Sequence, residues 1–109
     1  MAMYRQLTWL PGEPGLIRYD WLAEVGKLSG KSLNLGIALS WMAVVRGGPR
    51  VQLGRRVMAR FSLSRDACYD ALRRLEAHGL IKVWRLPGRS PMVTLLERDG
   101  RPLRIDPSR

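Results

Sequence analysis

Guanidinium groups and short polar side chains make up most of the chemistry this chain can offer. Arg55, Arg56 and Arg60 crowd one six-residue stretch, Ser64, Arg65, Asp66, Tyr69 and Arg73 fall in the next, and Arg85 and Arg89 bracket Pro87-Gly88. Arginine donates paired hydrogen bonds to phosphate or carboxylate oxygens, and Ser, Asp and Tyr add single donors and acceptors. Spacings of three and four residues among Arg65, Asp66, Tyr69 and Arg73 place these groups on one side of a helix. Such a set binds and orients a partner; it does not break covalent bonds. One His and one Cys leave no nucleophile-base pair. Neither a glycine-rich phosphate loop nor metal-ligand spacing is visible. The sequence therefore predicts no enzyme, no cofactor and no metal.

The charge is concentrated where these residues lie. The 109 residues carry a net charge of +10. Residues 46–96 hold eleven basic and three acidic groups, while the segments before and after are each at +1. A polyanion is the natural partner for so uneven a distribution. Codon bias is the competing explanation, because sixteen of the nineteen basic residues are Arg. A lone Cys68 excludes an internal disulfide framework and points to a reducing cytoplasm. The most apolar run, residues 33–45, is too short to span a bilayer, so no membrane role is expected.

The elements that must position these residues follow from periodicity and breakers. Pro11-Gly12-Glu13-Pro14-Gly15 marks a turn-rich arm, with Trp9, Leu10, Leu16 and Ile17 expected to pack on the body. Asp20 is a candidate N-cap for a short helix over 21–26, with Trp21, Leu22 and Val25 on one face. A second helix is predicted from Ser32 or Asn34 to about Arg46, stopped by Gly47-Gly48-Pro49. Ten of its residues 33–45 are apolar, so it must be covered on more than one side, by the arm or by a second copy. Gly36, Ser40, Ala43 and Gly47 form a small-residue stripe on it, suited to the preceding helix or to a dimer contact.

Val51-Gln52-Leu53 then predicts a strand, and Gly54 opens a helix over 55–61. Ser62-Leu63-Ser64 is a turn with Leu63 as its buried plug. Ser64 caps the helix over 65–78, with Cys68, Ala71, Leu72 and Leu75 as its core stripe and Gly79 as its terminator. Cys68 is thus a small buried hydrophobe, and His78 a helix C-terminal contact. Ile81 and Val83 alternate with Lys82 and Trp84; Met92, Val93, Thr94 and Leu95 form the return strand across Pro87-Gly88-Arg89-Ser90. Residues 97–109, charged and containing Asp99-Gly100, are expected to be loosely ordered.

The run from Ser62 through Glu76, then Gly79-Leu80-Ile81, then Pro87-Gly88-Arg89-Ser90-Pro91 resembles the winged helix-turn-helix family of bacterial DNA-binding proteins. The resemblance covers about 45 residues, or about 65 with the preceding helix. It implies a mainly α fold with a small antiparallel sheet (α+β). In it, residues 1–31 form an N-terminal extension, 32–96 the winged domain and 97–109 a tail. It further implies that helix 65–78 reads the major groove through Ser64, Arg65, Asp66, Tyr69 and Arg73. The 85–91 wing would bring Arg85 and Arg89 to the backbone or minor groove, and Arg55, Arg56 and Arg60 would meet flanking phosphates.

Asp66 and Asp70 interrupt this basic surface. Either could accept a hydrogen bond from a cytosine amino group. The simpler expectation pairs Asp70 with Arg73 or Arg74 and leaves Asp66 to favour the positive helix N-terminus. The expected activity is that of a homodimeric, sequence-specific double-stranded DNA binder in transcription. The competing expectations are a protein-interaction module working through Trp84 or the 33–45 helix, and a replication or recombination accessory factor of a plasmid or mobile element.

Overall fold

The computed structural model describes residues 17–105. The packing expected of Trp9, Leu10 and Leu16 lies outside them. Among the described residues the chain is an α+β fold of four helices and one three-stranded antiparallel sheet.

Helix α1 (Tyr19–Val25) begins two residues before Trp21. Asp20 does not cap it. Its carboxylate instead takes two hydrogen bonds from the Arg18 guanidinium, at 2.9 and 2.7 Å. It still lies in the first turn, where negative charge meets the positive end of the helix. Trp21 is buried, and its indole N–H donates to the Leu80 carbonyl at 3.0 Å.

Helix α2 (Ser32–Arg46) ends at Gly47, whose φ of +77° is the left-handed conformation that glycine takes without strain. Its N-terminal half meets α1 almost backbone to side chain. A Cβ on Gly36 would stand 2.6 Å from Val25 Cγ1 and 3.3 Å from Leu22 Cδ1. Of the two uses open to the small-residue stripe, the contact with the preceding helix is the one occupied at Gly36.

Strand β1 (Arg50–Gln52) leads through Gly54 into helix α3 (Arg55–Arg60). The turn at Ser62 takes a positive φ of 59°, and Leu63 behind it is buried. Helix α4 (Arg65–Ala77) follows, then β2 (Ile81–Trp84) and β3 (Met92–Leu95). The sheet order is β1-β3-β2, with Val51 and Val83 both opposite Val93. Alternation sends Val51, Ile81, Val93 and Leu95 inward, against Leu35 and Leu39 of α2 and Cys68, Leu72 and Leu75 of α4. Arg50, Gln52, Lys82, Trp84, Met92 and Thr94 take the outer face.

Loose order is the sequence expectation for residues 97–109, and residues 97–105 depart from it. A turn at Asp99-Gly100, with Gly100 at φ +88°, folds the segment back. The Glu97 N–H donates to the Arg101 carbonyl at 2.7 Å, and Leu96 bridges Pro102. This return delivers Leu103 into the core, 2% exposed, with its N–H on the Leu95 carbonyl at 2.8 Å. Composition flagged the segment as a tail because one buried leucine among charges gives no periodic signal. Residues 106–109 are outside the described residues. No helix among the described residues is long and apolar enough to cross a membrane.

Candidate functional site

Helix α4 sets the site, so its ends matter first. The Ser64 hydroxyl accepts the Ala67 N–H at 3.1 Å, which satisfies one of the free donors of the first turn. Gly79 ends the helix at φ +72°, and His78 Nδ1 lies 2.9 Å from the Arg74 carbonyl. Between these ends Cys68, Ala71, Leu72 and Leu75 are buried. That one-sided burial leaves Arg65, Asp66 and Arg73 exposed, with Tyr69 and Asp70 half-buried. Desolvation pushes the Cys68 thiol up to about 11, so it stays protonated and inert near neutral pH.

Three elements converge beside the start of α4. A cleft of about 850 Å³ is lined by Arg55 of α3, Arg65 and Tyr69 of α4, and Gly88 and Arg89 of the β2–β3 turn. The end of β1 holds that turn in place. The Gln52 side-chain amide donates to the Ser90 carbonyl at 3.2 Å, and the Leu53 N–H to the Pro91 carbonyl at 3.1 Å. Arg85 reaches across the base of the hairpin to Glu76 at 3.3 Å, tying the hairpin to α4.

The predicted residues divide on this geometry. Arg55, Arg65, Tyr69 and Arg89 share the cleft, and Asp66 is exposed one residue along α4. Arg65 also lies 5.9 Å from the Tyr69 ring centroid, a cation–π distance. Ser64 spends its acceptor on the cap. Arg60 is drawn over the Trp41 ring at 6.0 Å, and Arg56, though exposed, does not line the cleft. Arg85 is engaged by Glu76. Asp70 is held by Arg74, with Arg73 at 3.6 Å, which is the pairing expected for it. Asp66 has no ion pair among the described residues. Its charge and that of Arg73 remain available to a partner.

Some residues of the site carry no local signal. Gln52 and Ser90 are 38 positions apart, and only the strand register makes them neighbours. On the outer sheet face, Lys82 and Arg50 lie 5.2 and 5.7 Å from the Trp84 ring, a cluster that cross-strand pairing creates.

A second depression, of about 520 Å³, lies between α1 and residues 96–104. Arg18 pairs there with both Asp20 and Glu97, and Glu24 with Lys27. These pairs close the structure on itself. Among the described residues no group of three or more His, Cys, Asp or Glu is placed to hold a metal ion.

Compared with models of protein families, with curated proteins and with solved structures, the chain matches none of them.

Proposed function

We propose that this chain is a winged helix-turn-helix protein that binds specific sequences in double-stranded DNA and acts in transcription. The observation that carries the proposal is the convergence of Arg55, Arg65 and Arg89, from three different elements, on one cleft beside the exposed face of α4. Each guanidinium suits a phosphate oxygen. Together they flank a helix whose free polar groups, Asp66 and Arg73, suit base edges in a major groove. Arginine contacts supply affinity by releasing counterions from the duplex, and the α4 groups supply selectivity.

The uneven charge supports this reading over a protein-interaction module. The cleft lies in the segment that holds the basic excess. Selection of bound duplexes from a random pool tests it. A recovered consensus, with affinity falling steeply as salt rises, is the expected result. No retention of any duplex at low salt would overturn the proposal and favour the protein-interaction reading.

A further inference from the structure

Helix α2 exposes a row that the core does not use. Leu33, Ile37, Trp41 and Val45 are 42, 41, 42 and 55% exposed. They fall four residues apart, so they stack as one ridge along the helix. Half of the large exposed hydrophobic residues of the described chain lie in this row. On one side it borders α1, where Gly26 approaches Leu33 and Leu22 packs at Gly36. On the other it borders the end of α3, where the Phe61 ring meets Trp41 with centroids 6.0 Å apart. None of the four lines the cleft beside α4.

We propose that a second copy of this chain covers the row, pairing α2 with α2 across a two-fold axis. The choice of occupant rests on charge. At +10, two copies repel over most of their surfaces. The row is the exception: α2 has no acidic residue, and its single basic residue, Arg46, is the last of the helix. The neighbouring cation, Arg60, is already drawn over Trp41. Like-charged copies can therefore meet here without bringing charge against charge, whereas an acidic partner finds no cation in the row to select it.

An antiparallel two-fold pairing also matches large to small. It sets the Trp41 of each copy beside the Ile37 of the other, and Leu33 beside Val45, as an isologous contact requires. Removing such a ridge from water is the driving force. The pairing concerns a surface apart from the cleft and stands whether or not the cleft binds DNA.

The mass of the full chain in solution, measured without nucleic acid, tests the pairing. Wild type is expected at twice the mass of one chain. Ile37→Glu and Ile37→Lys are each expected at the mass of one chain, with melting curves that remain cooperative, because Ile37 is half-exposed. An equimolar mixture of the two variants is expected to recover the double mass, since Glu meets Lys across the axis. Wild type at the mass of one chain would overturn the proposal and leave the row to another occupant, residues 1–16 among them. Variants that stay at double mass, or a mixture that fails to reassociate, would also overturn it.

Discussion

At the scale of single residues, Gly36 shows how closely the two N-terminal helices depend on a missing side chain. Val25 is fully buried and β-branched, so its Cγ1 cannot rotate away from a Cβ placed 2.6 Å from it. Gly36→Ala gains about 1 kcal/mol of helix propensity. It also overpacks a tight contact, which typically costs 1–3 kcal/mol and displaces backbone. Because the clash involves a rigid branch, the steric cost is expected to win, with a net loss of about 1 kcal/mol in urea denaturation. A variant as stable as wild type, or more stable, would show that α1 does not rest on this contact. The stripe that includes Gly36 was legible in the sequence, but its user was not. Spacing says that a backbone can come close and does not say which one. The same limit applies to Asp70: its spacing to Arg73 and Arg74 predicted the pairing, because helix neighbours are fixed by period alone. Arg85, in a turn with no such period, was expected free and is held by Glu76.

Among the elements, α4 and the β2–β3 hairpin were the most readable, and for separate reasons. Ser64 and Gly79 punctuate the helix chemically, and strict alternation on both sides of Pro87-Gly88 leaves a hairpin as the only economical path. What the chain order cannot convey is how the hairpin is aimed. That is set by Gln52 and Leu53 holding Ser90 and Pro91, and by Arg85 on Glu76. The result keeps Arg89 on the cleft while Arg85 braces the base. The two arginines should therefore differ in binding assays on the proposed DNA. Arg89→Ala is expected to weaken duplex binding on all sequences alike, and to lower the slope of log affinity against log salt by about 0.9 for one lost phosphate contact. Arg85→Ala is expected to change the slope less, since its guanidinium is already committed to Glu76. Anisotropy titrations at several salt concentrations would check both. An unchanged slope for Arg89→Ala would remove the hairpin from the interface.

For the whole molecule, closure depends on a pairing between its two ends. Arg18 donates to both carboxylate oxygens of Glu97 at 2.8 and 2.9 Å, and Glu97 also accepts the Arg104 N–H at 2.9 Å. Seventy-nine positions separate Arg18 from Glu97, which is why no local pattern foretold that residues 97–105 are packed. The pair is about a quarter exposed on each side, dry enough to matter and wet enough to be screened. The Arg18 guanidinium holds the Glu97 carboxyl below its ordinary value of 4.5, aided by the Arg104 N–H. A carboxyl depressed in the folded state is protonated more readily in the unfolded one. Its stabilisation is therefore complete above pH 4.5 and is lost as pH falls through the lower folded value. Asp20 is lowered by the same Arg18, but its side chain is 68% exposed and contributes less. Glu97→Gln keeps the shape and removes the charge. It is expected to cost about 1–2 kcal/mol near neutral pH, the usual worth of a hydrogen bond to a charged group less its screening. Because the rise in self-repulsion at acid pH acts on both proteins, their difference isolates this one carboxyl. The gap between wild type and variant in urea denaturation should narrow steadily as pH drops below 4.5. A gap that stays constant down to strongly acid pH would mean that the two ends are joined by the burial of Leu103 and not by this charge.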